Sequence, residues 1–268
     1  MRTIAHLSDI HFGRVDHDLL GPLRATLESV KPDLVVVSGD LTQRAKIEQF
    51  HAAKAFLETL PKPQLVVPGN HDVPLYRVLE RFASPLGNYK AVFGDDVEPV
   101  HVDDEIAVVG VNTARSLVFK GGRINRAQMA RVRRILEPLP KSVTKIVVSH
   151  HPFNVPEGSD EEDQIVGRAK KALEHLAGCG ADLFLSGHLH EASVTRIADR
   201  YDIAGVHALV VQAGTATSSR TRGTPNTFNV LRTSPARITV DRYAWEHEAF
   251  VRNATETYHH DGKGWHAG

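Results

Sequence analysis

The chain has 268 residues, of which 41% are hydrophobic and 24% are charged, as in water-soluble globular proteins. Lysine plus arginine and aspartate plus glutamate both number 32, so no general affinity for nucleic acids or membranes is expected. No apolar run approaches the ~20 residues that span a bilayer, and the first residues show no leader pattern. The single cysteine, Cys179, excludes an internal disulfide and is interpreted as a packing residue. We therefore expect a cytoplasmic protein.

In the first two thirds of the chain, short apolar runs alternate with segments of helical spacing. The apolar runs predict strands at 3–8, 33–38, 64–68, 145–149 and 182–186, with a strand pair at 97–102 and 105–111. The helical spacing predicts helices at 19–30, 47–60, 74–82, 125–136 and 161–176.

From about residue 191 the pattern changes to short strands separated by turn residues. These strands are predicted at 194–197, 207–212, 227–232 and 237–245. Alternating β and α units with a β-rich end predict an α/β fold of stacked sheets with helices outside. We expect residues 1–268 to form one domain, with mobile surface loops at 153–163 and 214–226 and a frayed tail at 258–268.

Polar residues of the metal-binding types follow five of the apolar runs. They are Asp9 and His11, Asp40, Asn70 with His71 and Asp72, His150 with His151, and His188 with His190. Each motif by itself is common in turns and caps. Because all five stand at the carboxyl ends of predicted strands, where α/β sheets place their sites, together they predict a two-metal site for phosphate ester chemistry.

This series of motifs resembles the calcineurin-like metallophosphoesterase family over roughly residues 1–212. The resemblance implies a four-layer αββα sandwich of two mixed β-sheets flanked by helices. It implies two divalent metal ions (Mn, Fe, Zn or Co), between which a bridging hydroxide attacks phosphorus. The implied ligands are Asp9, His11 and His190 on one ion, Asn70, His150 and His188 on the other, and Asp40 bridging both.

The charge of this ligand set suits an anionic substrate. Two divalent ions bring four positive charges, and the carboxylates of Asp9 and Asp40 remove two of them. Asn70 and neutral imidazoles remove none, and the hydroxide removes one more. The cluster therefore keeps about one positive charge, which favours a phosphodiester.

His71 is predicted to be catalytic, because its neighbour Asn70 is a ligand and its ring must project nearby. A protonated His71 donates to the leaving oxygen or stabilises charge on the phosphoryl group. Asp72 either orients the His71 ring or caps a following helix. His151 either lines the site and contacts substrate or is structural.

The sequence looks most like the bacterial cyclic-AMP phosphodiesterase and glycerophosphodiesterase branch of the family, through segments 39–42 and 214–220, the latter leading into 226–229. Arg220 and Arg222 are the candidates for binding the substrate, and Arg115 and Arg123 are weaker ones; solvated loop arginines are the alternative. A phosphomonoesterase, and less so a nuclease or a non-catalytic scaffold, remain competing functions. The expected partner is a small phosphodiester, with a homodimer as a further possibility.

Overall fold

The computed structural model describes residues 1–75, 77–116, 121–156, 160–204, 207–219 and 223–268. The described strands are β1 (Arg2–Leu7), β2 (Leu34–Val37), β3 (Gln64–Val66), β4 (Val100–Val102), β5 (Ile106–Gly110), β6 (Thr144–Val148), β7 (Leu183–Ser186), β8 (Ser193–Arg196), β9 (Leu209–Gln212), β10 (Thr227–Ser234), β11 (Arg237–Glu246), β12 (Ala249–His260) and β13 (Trp265–Ala267). The described α-helices are α1 (Leu20–Val30), α2 (Ile47–Glu58), α3 (Val78–Ala83), α4 (Gly87–Phe93), α5 (Arg126–Leu136) and α6 (Ala169–Ala177).

The strands form two mixed sheets. The seven-stranded sheet has the order β13-β12-β11-β10-β1-β2-β3, and the six-stranded sheet has the order β4-β5-β6-β7-β9-β8. Strands β1, β2 and β3 are parallel, as are β5, β6, β7 and β9. The parallel strands are almost wholly apolar, because layers of side chains cover them on both faces.

Among the described residues, three apolar clusters hold the layers together. One lies between the two sheets and includes Ile4, Val36 and Ile146. A second packs α1, α2 and α4 on the outer face of the larger sheet, and a third packs α5 and α6 on the outer face of the smaller one. The layers are therefore helix, sheet, sheet and helix, and the predicted αββα sandwich is confirmed.

Two predicted helices begin later than expected. The segment predicted as one helix at 161–176 is a 3₁₀ turn, Glu162–Gln164, followed by α6 from Ala169. Arg168 lies between them in the left-handed conformation, with a φ of 68°, which ends any continuous helix. The helix predicted at 74–82 is α3, which begins at Val78, and α4 was not predicted.

The C-terminal tail is paired, and the expectation that it frays is wrong. Strand β12 pairs with β11 on one side and with β13 on the other. Trp265 is only 3% exposed, so the tail closes one end of the apolar layer between the sheets. Sequence reasoning did not predict β12 because most of its side chains are polar and only Phe250 and Tyr258 are buried.

Among the described residues, no helix combines the length and the apolar character needed to cross a membrane. Cys179 is buried in the apolar layer beneath α5 and α6, as expected for a packing residue.

Candidate metal centre

The predicted ligands meet where parallel strands of the two sheets end. Asp9 follows β1 and Asp40 follows β2, while His150 follows β6 in the other sheet. Hydrogen bonds join these loops: the Asp9 amide donates to the Gly39 carbonyl at 3.1 Å, and the Gly187 amide donates to the His150 carbonyl at 3.0 Å. Sheet topology thus brings together residues that are far apart in the chain.

The backbone at this site is strained. Asp9, His11, Asp40, His188 and His190 all lie in the left-handed region, with φ between 45° and 74°. Such conformations cost about 1–3 kcal/mol each for residues other than glycine and cluster at functional sites. Here they turn five polar side chains back towards one point at the end of the sheets.

Two glycines leave room for the carboxylates. A Cβ atom at Gly69 would collide with the Asp40 carboxylate, and one at Gly187 would collide with Ser8 and Asp9. The glycines of the predicted motifs are therefore required by the close approach of neighbouring loops.

Asp9, His11 and His190 form one side of the cluster. Asp9 Oδ1 lies 3.2 Å from His190 Nε2 and 3.5 Å from His11 Nε2, and the two imidazole nitrogens lie 3.3 Å apart. All three side chains are buried. The three side chains are therefore close enough together that they could hold one metal ion.

Asp40, Asn70, His150 and His188 form the other side. His150 Nε2 lies 2.9 Å from Asn70 Oδ1, 3.4 Å from Asp40 Oδ2 and 3.2 Å from His188 Nδ1. Asp40 also lies 3.7 Å from His11 Nε2, so it stands between the two halves of the cluster. The structure therefore brings together all seven predicted ligands.

Two of the imidazoles, those of His150 and His188, are oriented by oxygen acceptors that face the ring nitrogen pointing away from the cluster. His150 Nδ1 lies 2.8 Å from the Ser38 carbonyl oxygen, and His188 Nε2 lies 2.9 Å from Gln164 Oε1. Each acceptor fixes the proton on the nitrogen that faces it, so the other nitrogen presents a lone pair to the cluster. His150 thus offers Nε2, and His188 offers Nδ1.

Two carboxylate oxygens in the centre have no hydrogen-bond partner among the described residues. They are Asp9 Oδ1 and Asp40 Oδ2, and both are buried. A buried anionic oxygen without a donor is costly, and a cation among the imidazole nitrogens removes that cost. The residues present therefore fit metal ions.

Charge within the cluster keeps both carboxylates ionised. Burial raises the pKa of Asp9, but the His190 imidazole and its neighbours hold it well below its ordinary value. Burial likewise opposes ionisation of Asp40, and His150 and His71 bring the pKa of this carboxyl below its usual range. Asp9 and Asp40 therefore supply two negative charges.

The pKa values of two imidazoles, His188 and His150, shift in opposite directions. Burial, together with the charge of His150, lowers the pKa of His188 to about 3. For His150, burial lowers the pKa, but Asp40 outweighs it and raises the value to about 9. A ligand nitrogen must be deprotonated, so metal binding at His150 is expected to release a proton.

His71 lies beside the cluster, as predicted. Its ring meets the His11 ring edge-on, with centroids 5.0 Å apart, and its amide donates to Asp40 Oδ1 at 2.8 Å. Its Nδ1 lies 3.0 Å from the Gln43 carbonyl oxygen, which orients the ring. His71 also lines a cavity of about 90 Å³ together with Gln43, Asn70 and Arg81.

Asp72 occupies a different place from the one predicted. Its buried carboxylate accepts hydrogen bonds from the amides of Leu41, Thr42 and Gly69 and from the Thr42 hydroxyl, at 2.9–3.1 Å. These contacts tie the Asp40 loop to the Asn70 loop. They favour a positioning role over the predicted contact with the His71 ring or a cap on α3.

His151 is fully buried, so a direct contact with substrate is not supported. Its Nδ1 lies 2.8 Å from the Thr113 hydroxyl, and its ring packs against His188 with centroids 4.5 Å apart. Burial, followed by the charge of His188, lowers the pKa of His151 well below its ordinary value. The ring therefore supports the cluster from behind as a neutral group.

Arg220 and Arg222 lie outside the described residues, so their predicted substrate contacts stay predictions. Gln164, Gln43 and Arg81 were missed by sequence reasoning, although they contact or adjoin the site. Gln164 belongs to a segment predicted as a helix, and no motif distinguishes these three residues from ordinary surface residues.

The His and Asp residues described above can hold metal ions, in three overlapping groups of close ligand atoms. A family model described as calcineurin-like phosphoesterase matches residues 2–192 of the chain. The protein therefore belongs to the calcineurin-like phosphoesterase family.

Curated relatives are bacterial phosphodiesterases. The glycerophosphodiester phosphodiesterase GpdQ of Enterobacter lignolyticus is 35% identical over 80 residues, which are 26% of this chain and 29% of that protein. A probable GpdQ of Arcobacter nitrofigilis is 27% identical over 169 residues, which are 62% of this chain and 59% of that protein. The 3',5'-cyclic adenosine monophosphate phosphodiesterase CpdA of Escherichia coli K12 is 26% identical over 204 residues, covering 70% and 69%. The chain thus matches less than two thirds of either GpdQ protein.

Solved structures share the fold. The purple acid phosphatase PPD1 of yellow lupin superposes with a TM-score of 0.70 at 14% identity, covering 96% of this chain and 53% of that one. PhoD superposes with a TM-score of 0.72 at 12% identity, covering 99% and 71%. At these identities, the likeness concerns the architecture alone.

Proposed function

We propose that the protein is a dinuclear-metal phosphodiesterase that hydrolyses small phosphodiesters such as cyclic nucleotides or glycerophosphodiesters. The observation that carries the proposal is the pair of buried, unpartnered carboxylate oxygens of Asp9 and Asp40 among imidazole nitrogens. Two divalent ions bound there would acidify water and neutralise phosphoryl oxygens. The similarity to CpdA and GpdQ supports a diester as the substrate.

The charge of the centre favours a singly charged diester. Asp9 and Asp40 supply two negative charges against four on two divalent ions, while Asn70 stays neutral. The remaining positive charge attracts an anion in a buried setting, where attraction is stronger than in water. Because the Asn70 side chain is neutral, it cancels none of the positive charge of the two ions and so leaves that charge available to attract the diester.

His71 acts on the leaving group in this proposal. Its Nδ1 faces the Gln43 carbonyl, so the opposite nitrogen, Nε2, is the one that exchanges a proton with the substrate. In the protonated ring, Nε2 donates to the leaving oxygen and stabilises the charge that develops there. The partial exposure of His71 and the adjoining cavity allow substrate to reach it.

We further propose that residues 1–268 act as one metallophosphoesterase domain, since both sheets contribute ligands. Manganese, iron, zinc and cobalt all accept this donor set. A cytoplasmic location and a homodimer stay predictions.

The test compares bis(p-nitrophenyl) phosphate with p-nitrophenyl phosphate as substrates of the Mn-loaded protein, with a chelator-treated control. We expect chelator-sensitive turnover that is faster on the diester. Faster turnover of the monoester would replace the proposal with a phosphatase or nucleotidase, and the absence of turnover with any of the four metals would favour a binding scaffold.

A further inference from the structure

A second cleft lies beside the metal centre and shares none of its predicted ligands. It has a volume of about 510 Å³ and lies between the first turns of α5 and α6. This size falls within the range of small-molecule binding sites. Of the ten described residues that line it, five are basic and none is acidic.

Four of these cations have no carboxylate partner among the described residues. Arg123, Arg126, Arg168 and Lys171 are exposed, and no described Asp or Glu oxygen lies within 4.0 Å of their charged groups. Four exposed cations without a described carboxylate partner around a single cleft produce a locally positive potential.

Arg115 forms a fixed wall of the cleft. Its guanidinium donates to the carbonyls of Asn112 and Ala114 at 2.9 and 2.8 Å and to Gln128 Oε1 at 2.5 Å. None of these acceptors is charged, so they hold the guanidinium in place, while the nearby Glu98 carboxylate offsets part of its positive charge. A preformed charge of this kind binds an anion with little loss of side-chain entropy.

The floor of the cleft is apolar. Ile124, Met129 and Ala172 line it, and all three side chains are buried. The combination of an apolar floor and a cationic rim fits a ligand with a flat apolar part and several negative charges. One phosphate monoester carries about two negative charges, which is fewer than the four unpaired cations.

We propose that this cleft binds a nucleoside diphosphate or a similar polyphosphorylated small molecule, separately from the metal centre. The base would rest on Ile124 and Met129, and the phosphates would face the cationic rim. The segments that border the cleft also adjoin the metal centre. Gly122 packs against His151, and the Gly122 carbonyl accepts a hydrogen bond from the Gly167 amide at 2.7 Å. Gln164, which precedes Gly167 in the chain, contacts His188.

The test is calorimetric titration of the full-length chain with ADP after its metal has been removed, because the proposed metal centre would itself bind phosphates. The variant Arg126→Ala/Lys171→Ala removes two rim charges. The matched control, Arg134→Ala/Lys141→Ala, removes two exposed charges that do not line the cleft. We expect the rim variant to lower ADP affinity at least tenfold, while the control keeps it and both variants bind Mn²⁺ like the wild type.

Equal ADP affinity in the two double variants would overturn the proposal, because the rim would then contribute nothing. Adenosine and inorganic phosphate are each expected to bind at least tenfold more weakly than ADP. Adenosine binding as tightly as ADP would exclude recognition of the phosphates, and phosphate binding as tightly as ADP would exclude recognition of the base.

Discussion

Replacing Gln164 by alanine is expected to weaken metal binding without unfolding the protein. Gln164 Oε1 lies 2.9 Å from His188 Nε2 and fixes the proton on that nitrogen, so Nδ1 presents its lone pair 3.2 Å from His150 Nε2. Alanine removes the acceptor, at a cost of about 1–2 kcal/mol for one hydrogen bond. Because 1.4 kcal/mol is a factor of ten, and losses of such partners cost 10–100-fold, metal affinity should fall by about 10–100-fold.

The assay is a calorimetric titration of metal-free protein with Mn²⁺, with circular dichroism as a check on folding. Gln164→Glu keeps an oxygen acceptor and should bind Mn²⁺ at least as tightly as the wild type. Glu162→Gln is the matched control, because Glu162 belongs to the same turn but pairs with Arg200 at 3.0 Å. Wild-type Mn²⁺ affinity in Gln164→Ala would refute the reasoning that this acceptor orients His188.

Four further outcomes are expected. His71→Ala should keep its metal but lower kcat by about 10²–10⁴, as measured by steady-state kinetics and elemental analysis; loss of metal at an unchanged rate would make His71 structural. Asp40→Ala should lose both metal ions and nearly all activity, and full activity would exclude a bridging role for Asp40. Addition of Mn²⁺ at about 100 times its Kd should stabilise the metal-free protein by about 2.7 kcal/mol, and an unchanged Tm would argue against a built site. Burial raises the pKa of Asp182 from 3.8 to about 6, against the opposing effect of Lys145, so this carboxyl should cost the wild type about 2–3 kcal/mol of stability as the pH rises from about 4 to about 6. Asp182→Asn does not titrate and should therefore gain stability over the wild type between pH ~4 and ~8; a pH-independent difference in urea unfolding would contradict this.

The strands that carry the site were predictable because their pattern is local. An apolar run ending at a polar, metal-binding residue indicates a buried strand whose carboxyl end is exposed to a site. Asp9, Asp40 and His150 each follow such a run, and each lies in the cluster. The roles of Asp72 and His151 were less accessible, because both depend on which distant amide or hydroxyl their side chains reach.

Strand β12, near the edge of the larger sheet, was also not predictable from the local sequence. Strand β12 carries mainly polar side chains, of which few are buried, and has no alternating apolar pattern, so nothing local predicts it. Its stability comes from pairing with β11 and β13 and from the burial of Trp265. Such contacts exist only after the chain has folded.

By itself, the sequence determined an α/β fold of stacked sheets with helices outside and the metal-binding residue types at the strand ends, since residue type and local hydrophobic pattern specify both. The αββα sandwich and the seven predicted ligands followed from the resemblance to the family. Tertiary structure alone decided which nitrogen of His150 and His188 faces the centre, because the acceptors Ser38 and Gln164 come from other segments. It also decided that basic residues of two helices enclose one cleft. These features depend on distances between residues far apart in the chain, and only packing of the two sheets and their helices sets those distances.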